Sequence, residues 1–317
     1  MMLCIVWTHS RLPRWDIVPS YFNELSYHFN ELGQDAVPVF FLITGFLFFR
    51  NFSMDMYVSK LRTRFGSLVI PYILWGTVAA GFWYLVIRLS GYSYVSDNFE
   101  FNSLSEVVSN IFASKYNVLW YIGVIIVYAI AAPLFYFLAK NKRIAVVSII
   151  VFSIISSVFR HPYCSPLLWM PVYMLGAYLG THYKDYMFKP QPFWLSILGI
   201  IVFPITVILD HQYGTMLTSS MRIWASTFCF IGLYDMFDGL IHFRTYKIYS
   251  YTLFLYAAHY MPLHVMQRFV IAHWQSTLSC WIAYIGVPIV VVVIVLTTAC
   301  LLDCYCHRLY KVLSGNR

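Results

Sequence analysis

Residues 280–302 read CWIAYIGVPIVVVVIVLTTACLL, a run without one Asp, Glu, Lys or Arg. As a helix rising 1.5 Å per residue, such a run is about 34 Å long. That is enough to cross a hydrocarbon core of ~30 Å. Working back toward the start, comparable apolar stretches lie at 36–53, 66–89, 117–139, 143–160, 166–183, 193–210, 220–237 and 248–272. The 317 residues could hold two soluble domains, but 60% hydrophobic against 11% charged residues overrides that prior. The opening piece, Met1 to Ser10, is apolar but too short to span alone. It has no basic leading region and no small-residue cleavage site, so it does not read as a signal peptide. It reads as the distal half of a first transmembrane helix. The sequence therefore predicts an all-α fold: a polytopic transmembrane helical bundle of about ten helices, the first one truncated, forming a single membrane domain over 1–317.

The basic residues orient this bundle. With the loop after Ser10 outside, the cytoplasmic segments carry Arg50, Lys60, Arg62, Arg64, Lys140, Lys142, Arg143, Lys184, Lys189, Arg244, Lys247, Arg308, Lys311 and Arg317. The outer segments carry Arg11, Arg14, Arg88, Lys115, Arg160, Arg222 and Arg268. This two-to-one bias follows the alternation loop after loop and places both termini in the cytoplasm. It also accounts for the net charge of +8 without a nucleic-acid partner; juxtamembrane Lys and Arg meet anionic membrane lipids instead. Trp75, Trp83, Trp120, Trp169, Trp194, Trp274 and Trp281 fall near expected span ends, as interfacial belts or helix packing require. The cysteines form no disulfide framework and no zinc spacing, and no metal is expected. Cys164 and Cys280 both fall outside and can pair. His307 beside Cys300, Cys304 and Cys306 is thin support for a metal site.

Two long outer loops are expected, 11–35 and about 90–116. The first carries Asp16, Glu24, Glu31 and Asp35, the second Asp97, Glu100 and Glu106. Asp210, Arg222, Asp235 and Asp238 lie near span ends and read as solvated or snorkelling.

Four places can carry chemistry. His9 sits where the opening half-helix meets the outer side, in Trp7-Thr8-His9-Ser10. A neutral imidazole there can take a proton from a hydroxyl, or it can be a helix-end histidine exposed to headgroups. The stretch Lys60-Leu61-Arg62-Thr63-Arg64 can grip the phosphates of an anionic cofactor, or serve topology and lipid contact. Tyr256-Ala257-Ala258-His259 offers a second imidazole, with a structural or a catalytic role. His264, five residues on, lies about 140° round the helix, which disfavours a two-histidine metal site. Asn117-Val118-Leu119-Trp120-Tyr121 reads as an interfacial anchor or as part of a pocket. There is no Gly-rich phosphate loop, no G-x-S-x-G and no H-E-x-x-H.

These pieces stand in an order that resembles the acyltransferase 3 family of bacterial integral membrane acyltransferases. The likeness rests on Ile5-Val6-Trp7-Thr8-His9, on Val37-Pro38-Val39-Phe40-Phe41-Leu42-Ile43-Thr44-Gly45-Phe46, and on the basic stretch leading to Pro71-Tyr72-Ile73-Leu74-Trp75. Leu119-Trp120-Tyr121 and Tyr256-Ala257-Ala258-His259 add weaker matches. Thr44 stands where the family usually has Ser. The family's arginine, one span's depth before the histidine, would precede Met1, and its further basic position is Ser67 here. The resemblance implies ten helices in the bacterial inner membrane and transfer of an acyl group, often acetyl from acetyl-CoA, to a hydroxyl of a cell-surface or exported sugar or polysaccharide. It implies His9 as general base, with Lys60, Arg62 and Arg64 holding the acyl-CoA donor. Thr44, Trp120, Tyr256 and His259 would belong to the acceptor site or pocket, and Asp16, Glu24 and Asp35 would orient His9 or bind sugar hydroxyls, or else stand as solvated loop residues. The rival from another class is a multi-pass transporter or flippase of a small solute or lipid-linked sugar. It wants broken helices in two related halves, whereas Pro38, Pro71, Pro133, Pro171 and Pro204 show no such symmetry.

Overall fold

A computed structural model describes residues 2–12, 18–90, 101–159, 161–241 and 247–315. Asp16, Asp97, Glu100, Arg14, Arg160, Arg244 and Arg317 lie outside the described residues. The described chain is all helix and turn, with no strand among the described residues. In chain order the helices are α1 (Met2–Thr8), α2 (Ser20–Gln34), α3 (Val37–Phe49), α4 (Tyr57–Arg64), α5 (Ile70–Ser90), α6 (Leu104–Phe112), α7 (Trp120–Ile130), α8 (Ala132–Lys140) and α9 (Lys142–Val158). They continue as α10 (Pro166–His182), α11 (Phe193–Tyr213), α12 (Met216–Ile241), α13 (Thr252–Ala258), α14 (Tyr260–Trp274), α15 (Thr277–Trp281), α16 (Val287–Tyr305) and α17 (His307–Leu313).

Helices occupy all nine apolar stretches, but fewer qualify as spans than the sequence reading expects. Among the described residues four runs are long and apolar enough to cross a membrane: Ser20–Phe49, Met54–Leu89, Phe193–Tyr213 and Thr277–Tyr305. A fifth qualifies if α7 and α8, bent by 64°, form one span. Pro133 stands at that bend, where proline removes a backbone donor and crowds the preceding turn. The shortfall has local causes. Helices α9 and α10 are 17 residues each. Helix α12 carries Arg222, Asp235 and Asp238. The 248–272 stretch is broken at His259, between α13 and α14. Pro262, one turn on, has no N–H to return to the Ala258 carbonyl.

The polarity of the surface helices is inverted relative to a water-soluble protein. On α11 the exposed stripe is Trp194, Leu198, Ile201, Ile205 and Ile208, while Ser196, Gly199 and Thr206 face inward. In water the same spacing would carry the opposite residues. A large apolar surface of this kind belongs in lipid.

The same inversion corrects the first expected loop. Most of 11–35 is helix α2, which buries Phe22, Ser26, Asn30 and Gly33 and exposes Tyr21, Leu25, Phe29 and Leu32. The second expected loop contains α6, capped by Ser103, whose Oγ accepts from the Glu106 amide at 3.2 Å. The basic stretch is helical too: α4 runs through a π-helical turn, Phe65–Val69, into α5.

The chain divides into two compact units. The first comprises Met1–Gln34, Arg62–Ile126 and Thr245–Arg317; the second comprises Asp35–Leu61 and Val127–Arg244.

In the second unit, α3 and α10 meet backbone to backbone. A Cβ on Gly180 would stand 2.5 Å from the Phe46 carbonyl oxygen, one on Gly45 2.5 Å from that of Tyr173, and one on Gly176 would collide with Leu42 O. Gly176 and Gly180 are four apart, the small-residue spacing that lets membrane helices touch. Phe41 stacks on Trp169 at 5.1 Å beside this seam. Gly176→Leu is therefore expected to separate the two helices and to lower the yield of monodisperse protein in detergent, measured by size-exclusion chromatography. Unchanged yield and melting temperature would contradict this packing.

This unit also holds a buried ion-pair network. Arg222 Nε donates to Asp35 Oδ1 at 2.9 Å, and its terminal nitrogens reach Asp35 Oδ2 at 2.8 Å and Asp210 Oδ2 at 3.3 Å. Asp210 Oδ1 further accepts from Thr218 and Ser219, at 2.9 and 2.8 Å. All three charged side chains are largely buried, from 9% to 16% exposed. Arg222 and Asp210 are thus not snorkelling, and Asp35 is not a solvated loop residue. The planar guanidinium fits a carboxylate with two parallel bonds, which favours a dry pair over two separate wet charges.

All seven cysteines are free. The Cys164–Cys280 pair that the sequence allows is not formed: Cys164 is exposed and Cys280 is buried on α15. Trp75, Trp83 and Trp169 are buried and each donates its indole N–H to a carbonyl, of Leu313, Tyr116 and Tyr163 in turn.

Candidate active site

The first unit brings His9 and the Tyr256–His259 segment together. His9 follows the last residue of α1, with its amide donating to Val6 O at 3.2 Å. The residue as a whole is half-buried. The backbone around it is held by amides from two distant helices. Gln267 Nε2, on α14, donates to Ser10 O at 2.6 Å and to Ala283 O at 3.1 Å. Asn30, on α2, with its amide nitrogen turned toward the Trp7 carbonyl, donates to it at 2.9 Å and accepts from the Arg11 backbone amide at 3.2 Å. Thr8 Oγ1 donates to Cys4 O at 3.0 Å, and Ser10 Oγ to Trp7 O at 2.6 Å. The residues flanking His9 are therefore fixed while its imidazole has no hydrogen-bond partner among the described residues.

Aromatic rings surround that imidazole. His259 lies 5.5 Å away, centre to centre, and Tyr260 meets His9 edge-on at 5.7 Å. Tyr260 in turn touches His264 at 4.4 Å and Trp83 at 6.3 Å. His259 is fully buried. Its Nδ1 lies 3.1 Å from Leu255 O and 2.9 Å from Tyr256 O. Carbonyls only accept, so the proton sits on Nδ1 and Nε2 keeps a bare lone pair. That Nε2 has no hydrogen-bond partner among the described residues.

The Asn117–Tyr121 segment joins the same cluster. The Tyr256 hydroxyl donates to the Val118 carbonyl, and Tyr121 meets the Tyr256 ring at 6.3 Å. Trp120, half-buried at the start of α7, packs edge-on to Tyr121 at 6.4 Å. Asn117 Oδ1 accepts from the Leu119 amide at 3.1 Å, while its Nδ2 is buried with no hydrogen-bond partner among the described residues.

The other expected site residues are placed as follows. Thr44 is half-buried on α3, in the second unit. Arg62 is exposed and Arg64 half-buried on α4. Lys60, on the same helix, donates to Phe48 O at 2.7 Å and covers the Phe48 and Phe52 rings. That bond satisfies a carbonyl in the last turn of α3, a common task for a lysine at a helix C-terminus. Glu24 is exposed on α2, and Asp35 is held by Arg222. Among the described residues no group of three His, Cys, Asp or Glu side chains is placed to hold a metal ion.

Asn30, Gln267 and Tyr260 are the site's supports that sequence reasoning passed over. For Gln267 the signal was present: an amide within an apolar helix seldom stands there without an inward partner.

The described residues thus form an all-helical, lipid-adapted chain with a framed imidazole at a helix end. A family model described as an acyltransferase domain matches residues 1–302, and the chain belongs to that family, acyltransferase 3. It is a membrane acyltransferase. No curated protein and no solved structure matches the chain.

Proposed function

We propose that this protein is an O-acetyltransferase of the bacterial inner membrane, moving acetyl from acetyl-CoA to a hydroxyl of an exported or cell-surface sugar, with His9 as general base. The observation that carries the reading is the His9 setting: a backbone held by amides from two helices, a half-buried residue and no hydrogen-bond partner for its ring among the described residues. A base must be fixed in place yet open to its substrate.

In this reading the acceptor hydroxyl gives its proton to a bare nitrogen of His9. Its oxygen attacks the thioester carbonyl, the C–S bond breaks as the ester C–O bond forms, and the proton passes from His9 to the departing thiolate. A thiolate leaves readily, so no strong general acid is needed. Arg62 and Arg64 hold the CoA phosphates from the cytoplasmic side, and Lys60 contributes charge while bonded to α3. The pantetheine arm reaches into the bundle and the sugar arrives from outside, with both termini in the cytoplasm. Trp120, Tyr256 and His259 line the acceptor side.

The direct test is purified protein with radiolabelled acetyl-CoA and a panel of bacterial glycans, comparing wild type with His9→Ala and His259→Ala. Label in glycan that depends on His9 supports the reading. Label that survives His9→Ala and is lost in His259→Ala removes it. Replacing Arg62 and Arg64 together with alanine is expected to raise KM for acetyl-CoA about 10²–10⁴-fold with little change in kcat, since each charge-assisted phosphate bond is worth ~1.5–3 kcal/mol. An unchanged KM would release both arginines from donor binding.

A further inference from the structure

We infer that His259 is a positioning residue for His9: its bare Nε2 accepts a hydrogen bond from the His9 imidazole N–H and so fixes which His9 nitrogen faces the acceptor hydroxyl. This rests on the reading of His9 as base.

The buried ring of His259 has one satisfied end and one open end. Nδ1 is tied to the Leu255 and Tyr256 carbonyls at the break before α14. Nε2 is enclosed, has no hydrogen-bond partner among the described residues, and belongs to a ring whose centre is 5.5 Å from that of His9. A structural histidine needed only to close the helix break would be served by any short donor. A buried acceptor left open is disfavoured unless something comes to it. The His9 ring lacks such a bond of its own among the described residues, and the two planes are tilted by 42°, so neither ring stacks flat against the other. A turn of the His9 side chain brings an N–H toward Nε2, and such bonds often tighten only when substrate is bound.

The consequence is chemical. An imidazole that donates one N–H to a fixed acceptor carries its lone pair on the opposite nitrogen, and that nitrogen becomes more basic. When the acceptor hydroxyl protonates it, the resulting imidazolium keeps its other N–H directed at His259. His259 holds its own proton throughout, and the proton taken up by His9 leaves with the thiolate.

Two substitutions separate this role from packing. His259→Asn retains a donor for the two carbonyls but has no acceptor at the Nε2 position. His259→Gln carries its side-chain carbonyl oxygen out to that position. Full-length protein in detergent is treated with diethyl pyrocarbonate, which acylates a bare imidazole nitrogen, and labelling of His9 is followed by peptide mass spectrometry. His259→Asn is expected to slow His9 labelling about tenfold and His259→Gln to stay within about threefold of wild type, the loss and partial return of one hydrogen bond. Equal labelling in all three proteins, or equal slowing in both variants, overturns the inference. Nitrogen NMR of wild-type protein labelled in histidine needs no variant: a proton on His259 Nε2 also overturns it. Acetyl transfer is measured on the same samples. Wild type that labels as expected but transfers no acetyl refutes the proposed reaction while the pairing stands.

Discussion

His9→Ala is expected to lower acetyl transfer by about 10²–10⁴-fold, the usual worth of a positioned general base, without loss of the folded state. The reason for the second half is structural. The His9 ring makes no hydrogen bond among the described residues, and its neighbours Trp7, Ser10 and Arg11 are secured through backbone groups by Asn30 and Gln267. Alanine keeps those bonds. Radiolabel transfer and the melting temperature in detergent, measured on one preparation, test both halves together. If transfer falls only because the protein unfolds, the imidazole is a packing group and the assignment fails. Asn30→Ala and Gln267→Ala give the complementary result: loss of rate with the imidazole still present, because the backbone that aims it is released.

Arg222→Ala is expected to be the most destabilising single change in the second unit, by about 3–5 kcal/mol. It leaves the buried carboxylates of Asp35 and Asp210 without their cation. Deleting one partner of a buried pair costs far more than replacing the whole group, since the remaining charge stays dehydrated. The triple change Arg222→Met, Asp35→Leu, Asp210→Leu is therefore expected to recover most of the loss. Unfolding by SDS or heat in mixed micelles ranks the three proteins. A triple variant as weak as the single one would show that the network holds something other than its own charges.

Much of the architecture was legible in the sequence, because hydrocarbon demands long uncharged helices and the apolar stretches supplied them. The residues that defeated the reading share one physical cause: their partners lie far away along the chain. Arg222 is a lone charge beside an apolar run until Asp35, 187 positions earlier, is seen against it. Helix α2 reads as a polar loop because its inward face is Ser26, Asn30 and Gly33, and the habit of placing polar residues in solvent is reversed in lipid. Pro262 did announce the interruption at His259, and Gly176 with Gly180 announced the α3–α10 seam; both are local signals that sequence reasoning left unused. Within the candidate site, His9, Trp120, Tyr256 and His259 were identified as types worth attention. That two imidazoles from residues 9 and 259 lie side by side was visible only in three dimensions.

The amide that secures Ser10 is supplied by Gln267, 257 positions later. During synthesis Asn30 can therefore reach the Trp7 carbonyl early, while the tie to Ser10 waits until most of the polypeptide has left the ribosome. A product ending before Gln267 would lack that tie, so the backbone beside His9 would be held by Asn30 alone.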